Sequence, residues 1–356
     1  MSNEAKASSI DVTYMPDTTW RTATIPKKSG GVRVLRIPND DLKSVQRKLL
    51  NYLYTFKALR PMYSAVGFVP GRDTMSGVIQ HSRNAAFVLC MDIKNFFDSV
   101  PFSKVEQNLL KAGVPATIVD YIGKTCLCDG KCSQGAPTSP YLANIALQRF
   151  DKIMTYYCKK HGLVYSRYAD DIAISVCPSG LTFDGGIQDN PYYTILAGKL
   201  VRKPQSKAHI DRLILLTSRL LTKHVGPSMK LKHKKTRVAW RNGMSGRRIT
   251  GVVLRNDWEG YNAPRKFRRV TRAMLHNLYV ELRDLKPNAH LSEYRAKWAM
   301  IKGRIFYCDR LRQHSVTLEA AMDDPLFPEA EVDYVTSRLE KKTRGRQPKQ
   351  SHVSVE

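Results

Sequence analysis

The chain has 356 residues, of which 42% are hydrophobic and 25% are charged, as in an ordinary globular protein. This length and composition exclude a wholly disordered chain and allow one large domain or a few small ones. Lysine and arginine (58) outnumber aspartate and glutamate (31), which gives a net charge of +27 and points to a polyanionic partner, nucleic acid first and an anionic membrane second.

The N-terminal part of the chain alternates strand signals with helical periodicity. Residues 1–20 are polar and predict a loosely packed lead-in, and residues 22–38 predict a β-hairpin around a Lys-Lys-Ser-Gly-Gly turn. Apolar residues at helical spacing predict a helix over 40–54. The continuous apolar run 86–91 predicts a strand buried on both faces, which ends at Asp92.

The middle of the chain predicts helices on either side of a second hairpin. Helices are expected over 102–112 and over 139–160, the second beginning at a Ser-Pro pair that suits a helix start. Residues 164–176 predict two strands joined by a tight turn that carries Asp170 and Asp171. A pair of carboxylates is unusual in such a turn, where glycine and asparagine are the common residues.

The C-terminal part changes from an irregular pattern to a basic and then a helical one. Residues 178–207 are rich in Gly, Pro, Asp and Ser and predict an irregular insertion, before a helix over 208–224. Strand-like segments at 236–240 and 248–254 lie in a stretch rich in lysine and arginine. From Pro264 onward, apolar stripes predict helices. The stripes comprise Phe267, Val270, Met274, Leu278 and Leu282, then Tyr294, Trp298, Ile301 and Ile305.

Cysteine usage and hydropathy favour a protein of the reducing cytoplasm. Cys is too sparse for a disulfide scaffold, no apolar run reaches the ~18 residues of a membrane span, and the N-terminus lacks the apolar core of a secretory signal. Cys126, Cys128 and Cys132 are spaced like metal ligands, but a structural zinc site needs a fourth ligand. We therefore favour free buried thiols there.

Three carboxylates carry the strongest chemical signal: Asp92 at a strand end, and Asp170 with Asp171 in a hairpin turn. Adjacent strands would bring them to one sheet edge, where clustered carboxylates repel one another and need a cation. Oxygen ligands with open positions suit Mg²⁺, and two such ions stabilise the attacking and leaving oxygens of phosphoryl transfer. Without further context, aspartates at such positions are more often caps and loop formers.

Ordered blocks of sequence supply that context. In chain order they are TATIPKKSGGVRVLRIP (22–38), LKSVQRKLL (42–50), AVGFVPGRDT (65–74), CMDIKNFFDSV (90–100), QGAPTSPYLANI (134–145), YADD (168–171), HKKTRV (233–238) and RRITGVVL (247–254). Together they resemble a bacterial reverse transcriptase of the retron or defence-associated type, from its fingers hairpin through motif A, motif B, the YxDD box and motif D to the primer grip. One block alone is a weak signal, whereas their common order makes coincidence implausible.

The resemblance implies an α+β fold of the right-hand polymerase type, with fingers, an antiparallel-sheet palm and a helical thumb. Residues 1–20 would be an N-terminal lead-in, and residues 21–260 would form the interleaved fingers and palm. The thumb would span 261–345, and a basic disordered tail would follow over 346–356.

The resemblance also assigns the catalytic centre. Asp92, Asp170 and Asp171 would be catalytic and, with the backbone at Ile93, would bind two Mg²⁺ ions, for which Mn²⁺ could substitute. Such ions activate a primer 3′-hydroxyl and neutralise the departing pyrophosphate.

The incoming nucleotide would be held by residues around this centre. Phe97 falls on the steric-gate position that excludes a ribose 2′-hydroxyl, although an ordinary core aromatic is the alternative. Lys235 would donate a proton to pyrophosphate, and a surface lysine is an almost equal alternative; the sequence does not separate Lys27 from Lys28. The expected dNTP-binding residues are Lys28, Arg33, Phe97, Gln134, Gly135 and Lys235.

Template and primer would contact the palm and the thumb. Basic residues beside an apolar stripe let one helix face pack while the other follows a phosphate backbone, although a solvated helix face is the alternative for each arginine. The expected nucleic-acid-binding residues are Tyr168, Arg248, Thr250, Gly251, Arg265, Lys266, Arg268, Arg269 and Arg272.

Two retron markers disagree. In Gly77-Val78-Ile79-Gln80-His81 only His81 matches the retron NAxxH motif, and a structural or solvated histidine is the commoner role for it. Residues 249–251, Ile-Thr-Gly, resemble the retron VTG motif. The subgroup therefore stays open between retron and other defence-associated enzymes.

The sequence thus predicts an RNA-directed DNA polymerase that makes DNA from a dedicated noncoding RNA in antiphage defence. One alternative is a template-independent or protein-primed DNA polymerase of the same fold, and another is a catalytically silent nucleic-acid-binding structural protein. Expected partners are the noncoding RNA as template, the DNA product and dNTPs, in the bacterial cytoplasm and with no membrane partner. Priming by the RNA, an effector, a second polymerase protein and a homo- or hetero-oligomer stay open.

Overall fold

The computed structural model describes residues 10–27, 30–81, 85–176, 192–196, 199–241, 246–254, 261–283 and 292–316. The chain divides into two compact units, residues 1–258 and 259–356, which we describe separately. Among the described residues, no helix is both long enough and apolar enough to cross a membrane.

The elements are numbered here along the chain. The strands are β1 (Trp20–Pro26), β2 (Val32–Pro38), β3 (Phe87–Asp92), β4 (Leu163–Tyr168), β5 (Asp171–Val176), β6 (Tyr193–Leu196), β7 (Lys199–Arg202), β8 (Arg237–Trp240), β9 (Arg248–Ile249), β10 (Val252–Leu254) and β11 (Tyr261–Asn262). The helices are α1 (Asp40–Leu53), α2 (Thr74–Val78), α3 (Phe102–Lys111), α4 (Ala116–Cys126), α5 (Ser139–Lys160), α6 (Ser206–His224), α7 (Arg265–Arg283) and α8 (Ser292–Val316).

An antiparallel four-stranded sheet with the order β4-β5-β3-β8 forms the centre of the first unit. β3 lies between two neighbours, which pair both of its edges, and its apolar run is buried with only Cys90 partly exposed. Helix α5 packs on β4, α3 and α6. The predicted α+β fold with an antiparallel sheet backed by helices is confirmed.

Strand alternation gives the sheet two different faces. On β4, Tyr165 and Arg167 reach the buried Asp151 of helix α5, while Ser166 and Tyr168 line a cleft on the opposite face. Because successive side chains of a strand point to opposite faces, the helices cover one side and leave the other for a site.

The predicted hairpin of residues 22–38 is confirmed as β1 paired with β2. The lead-in is a correction, because residues 10–19 are held in place rather than loosely packed. Ile10 and Val12 pack against the core, and the Tyr121 hydroxyl donates a 2.7 Å hydrogen bond to the Tyr14 carbonyl. Apolar residues scattered among polar ones gave no periodic signal for this packing.

Two further segments depart from the prediction. The stretch 178–207, predicted to be an irregular insertion, contains a regular hairpin of β6 with β7. The prediction was wrong because a run rich in Gly and Asp dominates the composition of the stretch and hides the β-forming residues that follow it. The predicted strand over 248–254 is two strands, because Thr250 (φ 46°) and Gly251 (φ 88°) form a left-handed turn between them.

In the second unit, helices α7 and α8 pack against each other. Leu278 and Ile301 are buried, as the stripes predict, whereas Val270 and Trp298 are more than 40% exposed and do not belong to the buried face. The side chains of Leu282 and Tyr294, and the tail over 346–356, lie outside the described residues.

Candidate active site

The predicted carboxylates meet at one end of the central sheet. β3 ends at Asp92 and β5 begins at Asp171, and these residues lie opposite each other in the antiparallel register. Asp170 occupies the turn between β4 and β5, where the Ile93 amide donates a 3.0 Å hydrogen bond to its carbonyl. The two segments are therefore tied together where they carry the carboxylates.

The turn that presents Asp170 is supported from beneath by a buried network. Ala169 has a left-handed backbone, with φ 52°, a conformation that costs a non-glycine residue of order 1 kcal/mol. The fully buried Arg167 guanidinium donates a 3.0 Å hydrogen bond to the Ala169 carbonyl, two to Asp151 (2.6 and 2.8 Å) and one to Asn144 (3.0 Å). Sequence reasoning missed Arg167, although a charged residue inside a buried strand is a usable signal.

A second segment packs on the same turn. A Cβ atom at Gly67 would lie 2.6 Å from the Ala169 amide nitrogen, so only glycine allows this close approach. The Asn144 amide donates a 2.9 Å hydrogen bond to the Gly67 carbonyl. The network therefore fixes the carboxylate turn from two sides.

The carboxylates perturb one another. Burial raises the pKa of Asp170, and the Asp92 charge adds to that rise, while Lys235 and Arg33 oppose it. Burial, followed by the Asp170 and Asp92 charges, raises the pKa of Asp171 to about 6. The edge is therefore a place where added positive charge is favourable.

These residues suit a cation that completes its coordination with substrate. Among the described residues, no three His, Cys, Asp or Glu side chains converge closely enough to hold a metal alone. Mg²⁺ is commonly bound by one or two carboxylates plus substrate phosphates and water, which matches this set. The oxygen-only chemistry of Asp92, Asp170 and Asp171 fits such an ion.

Lys235 lies directly at the edge. It ends a short 3₁₀ turn, and its Nζ donates to Oδ1 of the nearly buried Asp92. That hydrogen bond, more than the charges of Asp170 and Asp171, raises the pKa of Lys235. The Lys235 side chain is 51% exposed, so it can turn toward a bound ligand.

Aromatic rings line one side of the edge. Phe96 is the buried member of the Phe96-Phe97 pair, and Phe97 is half-buried. The exposed Phe68 ring lies 6.4 Å from Phe97 and 5.8 Å from Tyr168 between centroids. Sequence reasoning did not single out Phe68, although it lies in the Gly-Phe block.

The hairpin and the predicted motif B loop contact each other. The Arg36 amide donates a 2.8 Å hydrogen bond to the Gln134 carbonyl. Gly135 lies against the Arg36 carbonyl, so that a Cβ atom at position 135 would lie 2.7 Å from that carbonyl oxygen. Arg33 is exposed on β2 and its charge reaches Asp170. Lys28 lies outside the described residues.

A cleft of about 580 Å³ opens on the carboxylate face. Its lining includes Asp92, Asp171, Lys235, Tyr168, Thr250 and Gly251. The Arg248 carbonyl accepts from the Arg237 guanidinium at 3.0 Å, and Arg237 also lines the cleft, which the sequence reasoning missed. These six predicted residues therefore line one cavity, whereas Asp170, Phe97 and Arg248 are not part of its lining.

The predicted thumb residues lie on helix α7 in the second unit. Arg265, Lys266, Arg269 and Arg272 are exposed and Arg268 is half-buried. Their contact with nucleic acid stays a prediction.

Two other features that the sequence singled out lie in the first unit. Cys126, Cys128 and Cys132 are free buried thiols, and no metal-binding group is found around them among the described residues. His81 is fully buried beneath the cleft, with one ring nitrogen 2.7 Å from the Ser175 hydroxyl and the other 2.7 Å from the Ser166 hydroxyl.

Comparison with known proteins gives a consistent result. Residues 25–179 match the family model described as reverse transcriptase (RNA-dependent DNA polymerase). The retron Mx65 reverse transcriptase of Myxococcus xanthus is 30% identical over 299 residues, which cover 79% of this chain and 60% of that protein. The retron Mx162 reverse transcriptase of the same organism is 30% identical over 275 residues, 71% of this chain and 51% of that protein. The resemblance to retron-type enzymes is confirmed.

The chain therefore spans between half and two thirds of the length of these two relatives. Among solved structures, a telomerase from Candida albicans in complex with a fragment of telomeric RNA matches over 87% of this chain and 58% of that one, with 11% identity and a TM-score of 0.43.

Proposed function

Because residues 25–179 match the reverse transcriptase family model and two retron reverse transcriptases are 30% identical to this chain, we propose that it is an RNA-directed DNA polymerase. The observation that carries this proposal is the pairing of Asp92 with Asp171, with Asp170 beside them, at the edge of a cleft that also holds Lys235. Clustered carboxylates next to a half-exposed lysine suit phosphoryl transfer better than a structural role, since the carboxylates repel one another when no cation is bound.

In this proposal Asp92, Asp170 and Asp171, with the backbone at Ile93, hold two Mg²⁺ ions. Bound there, the ions supply a lowered pKa for the primer 3′-hydroxyl and countercharge for the departing pyrophosphate. Lys235, now on Asp92, turns to the pyrophosphate and donates a proton to it. Arg33 adds a planar donor to the triphosphate.

Substrate choice follows from the rings and the loop. The half-buried Phe97, braced by Phe68, abuts the sugar and excludes a 2′-hydroxyl, which favours dNTPs. Gln134 and Gly135, held against β2, shape the site of the nascent base pair. The primer strand lies along Tyr168, Thr250 and Gly251. The basic residues of α7 also bind nucleic acid through its phosphates.

The proposed biological role is DNA synthesis from a dedicated noncoding RNA in antiphage defence, in the bacterial cytoplasm. The retron names of the relatives and their bacterial sources support it. We extend the proposal to an effector or second polymerase protein as partner, and leave the oligomeric state to measurement.

The deciding experiment is purification of the protein from cells that carry its native flanking DNA, followed by sequencing of the copurified RNA and DNA. The matched control is Asp170→Ala/Asp171→Ala, which removes two carboxylates from the edge. One abundant RNA with complementary DNA only in the wild type supports the proposal. DNA of simple sequence unrelated to that RNA indicates untemplated synthesis, and RNA without DNA in both samples overturns constitutive synthesis.

A further inference from the structure

The helices behind the central sheet carry a basic surface that the proposed catalysis does not use. Helices α3, α5 and α6 pack side by side, and α5 lies on the sheet face opposite the cleft. A nucleic acid bound at the carboxylates is therefore separated from these helices by the thickness of the sheet.

Positive charges from all three helices converge there. Burial lowers the pKa of Lys104, and the charges of Lys111 and Arg149 lower it further. Burial likewise lowers the pKa of His224, with Arg149, Lys223 and Lys104 adding to the effect. Lys104 therefore lies within reach of two other cations, and Arg149 and Lys223 help to keep His224 uncharged; this crowding of positive charge is a cost that a bound polyanion would remove.

No carboxylate neutralises this cluster among the described residues. The ion pairs of that part of the chain involve other cations, such as Lys124 with Asp120 and Arg167 with Asp151. Lys104 donates a 2.9 Å hydrogen bond to the Gln107 side chain, which is uncharged. A solvated helix surface normally mixes both signs, so this one-sided patch favours an anionic partner.

The patch also offers a ring. Arg149, Lys152, Tyr156 and Lys160 follow one another at spacings of three, four and four, which places them along one face of α5. Tyr156 is 70% exposed, the highest exposure among the large hydrophobic side chains of the described residues. An exposed aromatic between cations matches single-stranded nucleic acid, whose bases stack on rings while phosphates meet lysine and arginine.

We propose that the surface formed by Lys104, Lys111, Arg149, Tyr156, Lys223 and His224 binds a single-stranded segment of RNA on the back of the sheet. The inference deepens the proposed function, on which it rests for the choice of RNA. It gives the enzyme a second RNA contact, through which a template RNA can stay attached while its other end moves through the cleft. An anionic membrane would also meet the charges, but a single tyrosine offers it little apolar area to bury.

The test measures fluorescence anisotropy of the full chain with a labelled single-stranded RNA that has no self-complementarity. The variant Lys104→Gln/Arg149→Gln/Lys223→Gln removes three cations of the patch. Its control, Lys43→Gln/Arg47→Gln/Lys48→Gln, removes the same charge from α1. We expect the patch variant to flatten the log–log salt dependence of binding by about 2, at roughly 0.7 per lost phosphate contact, and the control to leave the slope unchanged.

A second variant separates stacking from charge. Tyr156→Ala should weaken RNA binding by about tenfold, which corresponds to the loss of one stacked base. It should leave the binding of labelled inorganic polyphosphate, which has no bases, unchanged. If Tyr156→Ala weakened the binding of RNA and of polyphosphate to the same extent, the result would indicate a damaged fold.

The outcomes divide clearly. Equal loss in the patch and control variants would overturn the proposal in favour of net charge alone. Loss of binding to phosphatidylserine vesicles, with RNA binding intact, would overturn it in favour of a membrane. Extension of oligo(dT) on poly(rA) is measured in parallel. If extension persists in the patch variant while RNA binding falls, the patch is separate from catalysis. If the wild type does not extend the primer, the proposed function fails.

Discussion

A single buried residue decides how the carboxylate turn is held. Arg167 bonds the Ala169 carbonyl, Asp151 and Asn144 at once, and none of these groups meets water. Substitution by lysine keeps the charge but loses the planar fork that reaches all three. We expect Arg167→Lys to lower the free energy of unfolding by about 2–4 kcal/mol, because buried acceptors lose their donors at about 1–3 kcal/mol each, with the change read from urea unfolding curves.

The matched control is Lys124→Gln, because Lys124 pairs with Asp120 on the surface, where both side chains are more than half exposed. Its loss should cost less than about 1 kcal/mol. If the two substitutions cost the same, the buried network does not support the turn in the way described.

A buried histidine gives a pH dependence of stability. Burial lowers the pKa of His81 to about 3, from an ordinary value of 6.5. The unfolded chain takes up a proton below about pH 6.5 and the folded chain does not, so stability falls as pH drops from 6.5 toward 3. From pH 7 to pH 5 this group should remove about 2 kcal/mol from the free energy of unfolding.

The measurement compares urea unfolding of wild type and His81→Gln at both pH values. Glutamine does not titrate, so the variant should lose less stability on acidification, whatever its stability at pH 7. The control is His161→Gln at an exposed position, which should lose as much stability between pH 7 and pH 5 as the wild type does. An unchanged acid loss in His81→Gln would contradict the neutral buried histidine.

At the scale of residues, the sequence predicted positions whose role follows from a motif. It did not predict residues whose role depends on tertiary contacts. Asp92, Asp170 and Asp171 could be expected at one edge because two strands end there. The motif placed Phe97 at the gate position, which left Phe96 as the ring that packs inward, and Phe96 is the buried one. Arg167 stood out as a charge inside an apolar strand, but the sequence could not show which buried groups it would bond.

At the scale of elements, the contact between the predicted motif B loop and β2 depends on one glycine. Gly135 has φ 125°, and a Cβ there would meet the Arg36 carbonyl oxygen at 2.7 Å. Gly130 has φ 71° and open space around it, so an alanine there would lower stability only through backbone strain. We expect Gly135→Ala to cost about 1–3 kcal/mol more stability than Gly130→Ala, since it must also move the strand.

The substitution should act on function as well. A displaced loop would loosen the site of the nascent base pair, so Gly135→Ala should raise the KM for dNTP more than Gly130→Ala does. Steady-state primer extension at varied dNTP concentration gives both values. Equal KM changes would mean that the loop and β2 do not shape the nucleotide site together.

Elements with one dominant pattern were predictable. Helix α5 has the predicted bounds, because a Ser-Pro pair begins it and its apolar repeat continues for the whole length. The hairpin of β6 and β7 was missed because strand formers in 193–202 follow a run of glycine and aspartate. Local composition hides a short element when its neighbours dominate the window.

At the scale of the whole molecule, the net charge of +27 should govern affinity for RNA. Each phosphate contact made by lysine or arginine releases counterions, so affinity falls as a power of the salt concentration. With about six to ten contacts, the dissociation constant should rise by roughly 10³–10⁵ between about 50 and 200 mM salt. Anisotropy titrations of the full chain with its copurified RNA measure this slope.

The KM for dNTP provides the internal control, because the proposed nucleotide site uses few cations, chiefly Arg33 and Lys235, and should depend far less on salt. A steep salt dependence of RNA binding together with a shallow salt dependence of the KM for dNTP would mean that most of the positive charge binds the polynucleotide. A shallow slope for both would mean that the excess charge is solvated surface, and the nucleic-acid interpretation of the composition would then have to rest on the cleft alone.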